Sequence, residues 1–394
     1  MTIFASQDGE EMTEDMIMEE ILLITNTNMG EHAGNVTLLE RRAEAMYTVG
    51  GYYTRMLVYK GVPQKEKPIK TECYSVEYLD RYEQLEHAIA SSKPKYIVLY
   101  GRKVSLLTNS LRRSLKKQGL QSSILLDVQG CVEEKWEYAK NWKQKLMYPA
   151  HDVVFRLAIN QVDGAFVVSD EMMDNCQQKR IGNRPIKYYK VRCGVNDLLS
   201  LEKKLAYRHS VRQTYGISDD TVVFVFSGFR KPWQRLDDIL ADMKQYDARL
   251  EKAHFMLFCD SNPEFEAQVA ECFPKGNYTV KLLNKEEYLP TLCACDVGYL
   301  IRAYNETNRV AFPNKFSEYL SCGLLIAMNG ALPEPMRILK RHGVAYIDTD
   351  NGCLEDNLQL IQGYCENIPQ HYETAVNACG QELLYEAQIR HAGL

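Results

Sequence analysis

The sequence predicts an α/β protein made of two doubly wound domains, each a parallel sheet with helices on both faces. Three observations support this prediction. Short apolar runs recur along the chain, an amphipathic or charged stretch follows each run, and the segment 196–220 interrupts the series without an apolar run of its own. Continuous apolar strands suit parallel sheets that are buried on both faces, and their alternation with helices indicates βαβ units.

The apolar runs divide into two series. Five runs predict the strands of a first domain over residues 20–198, and six predict the strands of a second domain over residues 199–375. The runs lie at 21–25, 55–59, 96–100, 123–127 and 165–169, and then at 222–226, 254–258, 278–283, 296–301, 324–328 and 344–347. The intervening segment 196–220 is predicted to be a linker followed by a helix. Domains of this kind bind ligands in the crevice at the carboxyl ends of their strands.

The two ends of the chain fall outside these series. Residues 1–19 are expected to form an acidic lead-in, because residues 1–20 carry seven acids and no lysine or arginine, the reverse of a targeting segment. Residues 376–394 are predicted to form a helix that packs back toward the first domain. No apolar run approaches the roughly 20 residues needed to cross a bilayer, so we expect a cytoplasmic protein.

Length and composition exclude several other classes of protein. A chain of 394 residues with 45% apolar and 25% charged residues is typical of a globular protein of two domains. The net charge of −5 does not favour nucleic-acid binding. Twelve cysteines are scattered too thinly for a disulfide scaffold, and the pair Cys293 and Cys295 has no second pair nearby. We therefore expect reduced thiols and no metal site.

A glycine-containing loop follows the first strand of the first domain. The stretch NTNMGEHAGN, residues 26–35, places His32 between Gly30 and Gly34. Glycines allow the backbone to bend tightly and to approach a phosphate or a sugar. The spacing differs from the G-x-G-x-x-G dinucleotide fingerprint, and an ordinary strand-to-helix turn remains the alternative.

A basic loop follows the first strand of the second domain. In SGFRKPWQRL the turn residues Ser227 and Gly228 precede Arg230, Lys231 and Arg235. Cations at the carboxyl end of a buried strand lie where this architecture binds anions, and arginine provides bidentate donors for a diphosphate. A solvated basic loop is the alternative.

The stretch NRVAFPNKFSEYLSCG, residues 308–323, predicts a short helix over 313–322. Pro313 suits a first helical turn, and Gly323 suits the position just past a helix end. Lys315 and Glu318 share one face at a spacing of three residues. They could form an exposed ion pair worth roughly 0.2–0.5 kcal/mol. Alternatively, the helix N-terminus and Lys315 bind a diphosphate, and Glu318 accepts hydrogen bonds from a ribose diol.

This stretch, continued to NRVAFPNKFSEYLSCGLLIAMNG, resembles the donor-site signature of nucleotide-sugar glycosyltransferases of the GT-B architecture, close to glycosyltransferase family four. Members commonly carry Pro-x-Lys-x-x-Glu-Tyr-Leu, then a small residue, another residue and Gly. The stretches DVGYLIRAYNETNRV and FSGFRKPWQRLDDIL are similar to the family's lead-in and basic loop. In the first domain, DVQGCVEEKWEYAK, VDGAFVVSDEM and VRCGVND resemble its acceptor-domain landmarks. The resemblance covers about residues 21–350 and implies two Rossmann-like domains that face each other across a cleft.

The resemblance also implies roles for individual residues. Glu318 would hold the ribose, and Lys315 would lie near the diphosphate with Pro313 and Asn314 beside it. It places five further residues at the leaving diphosphate: Arg230, Lys231, Arg235, Gly228 and Gly30. It places Asn284 and Tyr288 at the base, and Arg302 and Asn308 beside the transferred sugar.

Three positions depart from the family pattern. Many members carry an acid eight residues before the ribose glutamate, where this chain has Val310, while Glu306 is out of register. Gln234 and Arg235 occupy the position of a common Lys-Gly pair, and Gln129 replaces the usual His or Arg of an Asp-x-His/Arg-Gly element. These departures concern the donor sugar and the acceptor contacts.

The resemblance implies transfer of a sugar from a UDP- or GDP-sugar to an acceptor hydroxyl with retention of configuration, as in bacterial polysaccharide or glycolipid synthesis. The leaving phosphate would itself accept the hydroxyl proton, without a tightly bound cofactor. No Asp-x-Asp pair stands in a suggestive place, so a metal is not required. Arg230, Lys315, Arg302 and His32 are the catalytic candidates, and Asp127 and Glu134, with His32, are candidates on the acceptor side.

The stretch SLLTNSLRRSLKKQG, residues 105–119, predicts a helix with a leucine stripe and basic later turns. Such a helix could contact anionic lipid and bring the enzyme to a lipid-linked acceptor. The alternative is that the leucines pack on the sheet. Two other functions also remain open: a nucleotide-sugar epimerase on the same architecture, and a non-catalytic nucleotide-sugar-binding protein.

Overall fold

The computed structural model of the chain describes residues 19–29, 34–61, 69–182 and 184–393. Within these ranges the chain forms two parallel sheets of seven and six strands, with helices packed on their faces. The prediction of two doubly wound α/β domains is confirmed. The acidic lead-in predicted for residues 1–19 lies outside the described residues, apart from Glu19.

The first sheet has the strand order β3-β2-β1-β4-β5-β6-β7. Its strands are β1 Glu20–Thr25, β2 Tyr53–Tyr59, β3 Tyr74–Leu79, β4 Tyr96–Tyr100, β5 Ser123–Val128, β6 Gly164–Val167 and β7 Lys187–Lys190. The helices between them are α1 Gly34–Gly50, α2 Tyr82–Ser92, α3 Arg102–Ser105, α4 Thr108–Gln118, α5 Glu134–Glu137, α6 Trp142–Leu146, α7 Tyr148–Ile159 and α8 Asp170–Gln178.

The second sheet has the strand order β10-β9-β8-β11-β12-β13. Its strands are β8 Val222–Ser227, β9 Ala253–Phe258, β10 Tyr278–Val280, β11 Val297–Leu300, β12 Leu325–Met328 and β13 Tyr346–Asp348. The helices that follow β7 are α9 Leu201–Tyr215, α10 Leu236–Asp247, α11 Pro263–Cys272, α12 Lys285–Cys293, α13 Glu306–Arg309, α14 Asn314–Ser321, α15 Pro333–His342, α16 Leu354–Glu366, α17 Ile368–Glu382 and α18 Tyr385–Ala392. A single 3₁₀ turn, Pro232–Gln234, precedes α10.

The first strand of each sheet lies at the point where the strand order reverses. β1 stands between β2 and β4, and β8 stands between β9 and β11, so the crevice for a ligand opens beside both strands. Five of the six residues of β1 and all six of β8 are buried, which explains why both read as continuous apolar runs.

Two edge strands of the first sheet were not predicted. β3, with sequence YSVEYL, alternates between buried and partly exposed residues, and β7, with sequence KYYK, has one buried residue. An edge strand is covered on fewer sides, so it needs no continuous apolar run. In the second sheet β10 ends at Val280, three residues before the predicted end of its run.

α9 joins the domains and packs on the second one. Three of its cations, one turn apart, are buried: Lys204, Arg208 and Arg212. Arg208 Nη1 and Arg212 Nη2 each lie 2.7 Å from a carboxylate oxygen of the fully buried Asp296, at the start of β11. This buried cluster ties the connecting helix to the second sheet.

The chain returns to the first domain only at its last helix. The boundary predicted at residue 375 falls inside α17, which packs against α14 and α15. At the following turn, Val195 N donates to Leu383 O (3.0 Å) and Tyr385 N donates to Val195 O (3.0 Å). α18 then lies against α1 and β7 of the first domain.

The remaining sequence predictions concern thiols, metals and membranes. All twelve cysteines are free, and Cys293 and Cys295 are buried. Among the described residues no cluster of His, Cys, Asp or Glu has the composition of a metal site, and no helix is long and apolar enough to cross a membrane. The predicted helix 105–119 is α4 preceded by the end of α3, with Leu111 and Leu115 buried.

Candidate active site

The site is built around the N-terminus of α14, which follows the crossover from β11. Pro313 is the residue preceding the first helical residue, with an extended backbone (φ −72°), so the helix begins one residue later than predicted. Gly323 follows its end with φ +65°. The Tyr319 ring packs closely on Gly298 of β11, where an added Cβ would lie only 2.6 Å from Tyr319 Cδ2.

Lys315 points from this helix into the turn after β8. Its Nζ donates to Gln234 Oε1 (3.0 Å) and lies 4.4 Å from the centroid of the Phe226 ring. A Cβ at Gly228 would be 2.8 Å from the same Nζ, so a larger residue there would displace the ammonium group from this position. Gly228 also has φ +108°, a conformation that other residues rarely adopt.

Arg302 follows β11 and is buried, with 4% of its surface exposed. Its Nη1 donates to its neighbour Ile301 O (3.0 Å), and its backbone N–H donates to Asn329 Oδ1 (3.1 Å). Desolvation lowers the pKa of Arg302 to about 10. Desolvation, together with the positive charge of Arg302, lowers the pKa of Lys315 well below its usual value.

Neither of these cations has a carboxylate partner among the described residues. No Asp or Glu oxygen of that part of the chain lies within ion-pair distance of Lys315 or Arg302, although the chain forms many other ion pairs. Buried charges are costly unless they are paired, and their lowered pKa values express that cost. Two such cations beside a helix N-terminus favour an anionic ligand.

Glu318 lies one turn further along α14. Tyr288 Oη donates to Glu318 Oε2 (3.1 Å), and Arg41 Nη1, from α1 of the first domain, lies 3.5 Å from Glu318 Oε1. The alternative of an exposed ion pair between Lys315 and Glu318 does not occur, because each side chain has turned to other partners. The Glu318 carboxylate, with 14% of its side chain exposed, therefore faces the cleft between the domains.

Tyrosine hydroxyl groups connect Glu318 to the end of β8. Ser227 Oγ lies 2.9 Å from Tyr288 Oη and 3.0 Å from Tyr319 Oη, within hydrogen-bond distance of both. Burial, and then the negative charge of Glu318, raises the pKa of Tyr288 well above its usual value. This neutral tyrosine is held as a donor to the carboxylate, which fixes the orientation of Glu318.

The basic loop after β8 contributes less charge at this point than its sequence suggests. Arg230 Nε lies 3.4 Å from Asp260 Oδ2, and the Arg230 guanidinium lies 4.5 Å from the centroid of the Phe265 ring. Arg235 Nε donates to Asp238 Oδ2 (2.6 Å), one turn along α10. Of the predicted loop cations, Lys231 is exposed.

Three other predicted donor residues, Asn284, Asn308 and Asn314, have structural partners. Asn284 is the N-cap of α12, where its side chain accepts from Glu287 N (2.8 Å). The Asn308 amide is buried and donates to Tyr138 Oη (3.1 Å) and to Ala303 O (2.9 Å). Asn314 Nδ2 donates to Gly34 O (2.9 Å), so the start of α1 lies directly against the start of α14. Pro313, in turn, only initiates α14.

On the acceptor side, Asp127 lies in a buried ion pair with Arg42 (2.8 Å), whose Nη2 donates to Val191 O (2.7 Å). Glu134, at the start of α5, is partly exposed, and Lys135 Nζ lies 4.0 Å from it. Asp127 is thus occupied by a structural partner, and Glu134 remains accessible. Gly30 and His32 lie outside the described residues.

The structure adds residues that the sequence did not single out. Glu137 of α5 accepts hydrogen bonds from Glu306 N (2.9 Å) and Thr307 N (3.0 Å), at the start of α13 in the other domain. Tyr138 follows it and lies 5.3 Å, ring to ring, from Trp233. Arg41, Glu137 and Tyr138 have partners in the other domain, and no local sequence pattern indicates such contacts.

No protein-family model and no curated protein sequence matches the chain. Solved structures do match over nearly its whole length. Sucrose-phosphate synthase from Thermosynechococcus elongatus has a TM-score of 0.72 at 14% identity, covering 95% of this chain and 97% of the other. HepE from Anabaena, in complex with UDP and glucose, has a TM-score of 0.63 at 14% identity, covering 95% and 98%.

A third similar structure is WaaG, a glycosyltransferase involved in lipopolysaccharide biosynthesis, with a TM-score of 0.62 at 11% identity, covering 95% of this chain and 98% of the other. At these identities the likeness is one of fold. It agrees with the two parallel sheets and the cleft between them. The chain has the fold of the GT-B glycosyltransferases, as its sequence resemblance implied.

Proposed function

We propose that this chain transfers a sugar from a nucleoside-diphosphate sugar to the hydroxyl group of an acceptor. The observation that carries the proposal is a pair of cations beside the N-terminus of α14, Lys315 and Arg302, which have no carboxylate partner among the described residues. A diphosphate supplies the negative charge that both cations lack. Glu318, one turn away, supplies the acceptor atoms for a ribose diol.

The donor then lies along α14 with its base toward α12. Glu318 holds the ribose, and Tyr288 keeps the carboxylate oriented through its hydrogen bond. Lys315 contacts the diphosphate across the space that Gly228 leaves open. Arg302 lies next to Lys315, toward the transferred sugar. Arg230, if it leaves Asp260, adds a further cation to the leaving group.

Uracil, supplied as UDP, is the first base to test. HepE was solved with UDP and glucose, and a similar E. coli structure contains UDP-2-fluoro glucose. GDP is the second candidate. The donor site of this chain differs from the family pattern at Val310, which is fully buried and whose carbonyl oxygen accepts from Ser169 Oγ (2.7 Å). Val310 therefore joins the two domains and makes no polar contact with a sugar through its side chain.

In the proposed reaction, cleavage of the sugar–phosphate bond leaves negative charge on the diphosphate. Lys315, Arg302 and the α14 N-terminus stabilise that charge, in a closed site where electrostatic interactions are strong. We propose retention of configuration, with the acceptor proton passing to the leaving phosphate oxygen. The two cations offset much of the charge on the diphosphate, and we propose that the reaction proceeds without a metal or a bound cofactor.

The acceptor is a carbohydrate or a lipid-linked glycan in this proposal, and the setting is polysaccharide or glycolipid synthesis in a bacterial cytoplasm. Glu134 is the accessible acidic candidate on the acceptor side. The proposal places the chain close to glycosyltransferase family four, on the strength of the residues 313–323. Its structural support is the GT-B fold and the site at α14.

The test is product analysis with UDP-sugars and GDP-sugars, with and without added acceptors. We expect release of the nucleoside diphosphate that depends on an acceptor, and a new glycosidic product. Conversion of the sugar without release of nucleotide would instead indicate an epimerase. Tight nucleotide binding without any turnover, over a broad acceptor panel, would indicate a non-catalytic binding protein.

A further inference from the structure

Exposed apolar side chains are concentrated on one face of the first domain. Thirteen large apolar residues in the described part of the chain are exposed, and six of them fall within residues 136–157. These six are Trp136, Trp142, Leu146, Met147, Val153 and Leu157. Trp142 and Leu146, one turn apart on α6, have 66% and 67% of their surface exposed. We call this the 136–157 surface.

The 136–157 surface is continuous across three short helices. α6 packs against both α5 and α7. The ring of Trp136 lies 6.2 Å from that of Tyr148, and Lys145 Nζ lies 5.1 Å from the centroid of the Trp136 ring. All eight residues from 140 to 147 are exposed, so no other part of the described chain covers the outer face of α6.

The charge on this surface is opposite to that of the whole chain. Residues 138–147 carry Lys140, Lys143 and Lys145 and no acid, although the chain has a net charge of −5. The structure records no ion pair between these three lysines and any other described residue. The acids that flank these lysines in the sequence have other partners. Glu133 and Asp152 accept from Lys179 Nζ (2.6 and 2.8 Å), Glu134 lies 4.0 Å from Lys135 Nζ, and Glu137 accepts from the N–H groups at the start of α13.

We propose that the 136–157 surface binds the face of an anionic lipid bilayer. Tryptophan prefers the interface between water and acyl chains, where its ring is apolar and its N–H is hydrated. Leucine and methionine side chains of a short exposed helix enter the acyl boundary, and lysine stems lie along them with their ammonium groups among the phosphates. Lysines without an ion-pair partner in the described part of the chain, beside exposed tryptophans, suit this boundary between acyl chains and phosphate groups.

The basic helix α4 does not provide such a surface. Its Leu111 and Leu115 are buried in the core of the first domain, and Arg112 is paired with Asp163 (2.8 Å). The exposed side chains of α4 are therefore polar, and they include the cations Arg113, Lys116 and Lys117. This comparison moves the expected membrane contact from residues 105–119 to residues 136–157.

The 136–157 surface reaches the edge of the cleft. Glu137 and Tyr138 lie between Trp136 and α6, and both contact the second domain at residues 305–308. Membrane binding here would place the acceptor side of the cleft at the bilayer, where a lipid-linked acceptor resides. That last consequence rests on the proposed transfer reaction, whereas the bilayer contact itself does not.

The experiment is co-sedimentation of the full chain with phosphatidylcholine vesicles, with and without phosphatidylglycerol. We expect binding only to the anionic vesicles, weakened by salt. Two of the three tryptophans, Trp136 and Trp142, belong to the surface, so binding should shift tryptophan emission to shorter wavelength. Lipids brominated in their acyl chains should quench that emission in the wild type and less in Trp142→Phe.

Matched variants separate this surface from general electrostatics. Lys140→Gln/Lys143→Gln/Lys145→Gln should lower the vesicle partition coefficient about tenfold or more, whereas Arg113→Gln/Lys116→Gln/Lys117→Gln on α4 should not. Leu146→Ser should weaken binding severalfold, whereas Leu282→Ser, at a similarly exposed leucine (62%) of the second domain, should not.

Three outcomes would overturn the proposal. The first is absence of binding to either vesicle, which would leave the surface to a protein partner. The second is an equal loss in the two triple variants, which would mean that charge alone attracts the protein. The third is vesicle binding with unchanged tryptophan emission, which would place the contact elsewhere. None of these readouts requires sugar transfer, so failure of the proposed function is distinguishable from failure of this proposal.

Discussion

At the scale of single residues, the candidate site holds Lys315 and Arg302 in surroundings that disfavour their charges. Lys315 is held by the neutral Gln234, the Phe226 ring and the space above Gly228. None of these partners neutralises an ammonium group. These surroundings favour a ligand that brings its own negative charge, because a buried cation without a counter-charge is costly.

Replacing Lys315 should weaken nucleotide binding without lowering the free energy of unfolding. Lys315→Met should weaken binding of a nucleoside diphosphate by about 1.5–3 kcal/mol, the value of a hydrogen bond to a charged group. It should leave the free energy of unfolding unchanged or raise it, because a desolvated cation is removed. The control is Lys231→Met, at an exposed cation of the same region. Calorimetry and urea unfolding measure both quantities, and equal affinity losses in the two variants would refute the assignment.

The lowered pKa of Lys315 predicts proton uptake when a diphosphate binds. The pKa lies well below its usual value in the free protein, and an adjacent diphosphate should raise it. Above the free-protein pKa the lysine is neutral before binding and charged afterwards, so affinity should fall as pH rises through that pKa.

The same shift has a definite sign for folding. Because the pKa of Lys315 is lower in the folded than in the unfolded chain, the lysine destabilises the fold increasingly as pH falls from the unfolded pKa toward the folded one. Below the folded pKa this cost is complete.

The proton uptake on binding can be measured directly. Titration calorimetry with the diphosphate, in two buffers of different ionisation enthalpy and at a pH above the free-protein pKa of Lys315, should detect proton uptake in the wild type and not in Lys315→Met. Equal uptake in both proteins would assign the proton to another group.

At the scale of elements, the second domain is anchored to its connecting helix by Asp296. Its two oxygens lie 2.7 Å from Arg208 and from Arg212 of α9, and Oδ2 also accepts from Val223 N (2.8 Å) at the start of β8. Asp296 thus joins α9, β8 and β11 at the end of the sheet opposite the site. Its position holds the strands whose other ends carry Ser227 and Arg302.

Asp296→Asn should destabilise the second domain strongly. The substitution keeps the shape but leaves two buried guanidinium groups without a counter-charge, and breaking such pairs costs about 3–5 kcal/mol. The control is Asp220→Asn, which removes an exposed, solvent-screened partner of Lys252 and should change the stability far less. Urea unfolding measures both. Similar small losses in the two variants would show that the Asp296 cluster does not anchor the domain.

At the scale of the whole molecule, polar contacts hold the domains together across the cleft. Arg192 Nε donates to Glu334 Oε1 (2.7 Å), and both side chains are largely buried. Near the site, Glu137 accepts from the N–H groups of Glu306 and Thr307. With these contacts the two domains lie against each other across the cleft, and Arg41 of the first domain reaches Glu318 of the second.

Removing the Glu137 contacts should favour a more open arrangement. Each hydrogen bond to a charged acceptor contributes about 1.5–3 kcal/mol, so Glu137→Ala should shift the closing equilibrium by about tenfold or more. Small-angle X-ray scattering should show a larger radius of gyration for the unliganded variant, and a saturating diphosphate should reduce the difference. Glu134→Ala, one turn away and partly exposed, is the control. An unchanged radius in Glu137→Ala would show that other contacts set the closure.

Sequence reasoning reached the fold and part of the site for physical reasons. The central strands are buried on both faces, so their apolar runs are visible, whereas the edge strands β3 and β7 carry mixed patterns. Lys315 and Glu318 stand out as candidate site residues in the sequence because a short helix fixes their spacing. Their partners Gln234, Tyr288 and Arg41 come from distant segments, and only folding brings them together.

The ion pairs of the loop cations could not be predicted from the sequence. Arg230 and Arg235 have the sequence context of diphosphate ligands, yet Asp260 and Asp238 lie within reach of them in the fold. A sequence lists cations without stating which of them acquire carboxylate partners. Among the described residues Arg230 and Arg235 have carboxylate partners, whereas Lys315 and Arg302 do not, so the charges of Lys315 and Arg302 remain available to a ligand.

The most direct test of a nucleotide site at α14 is a thermal-shift panel with UDP, GDP, ADP, CDP and dTDP on the wild type and Glu318→Ala. A ligand at 100 times its dissociation constant stabilises a protein by about 2.7 kcal/mol, enough to raise the melting temperature measurably. We predict that one diphosphate, UDP first, shifts the wild type and shifts Glu318→Ala much less. An equal shift in both proteins, or no shift with any nucleotide, would contradict the site.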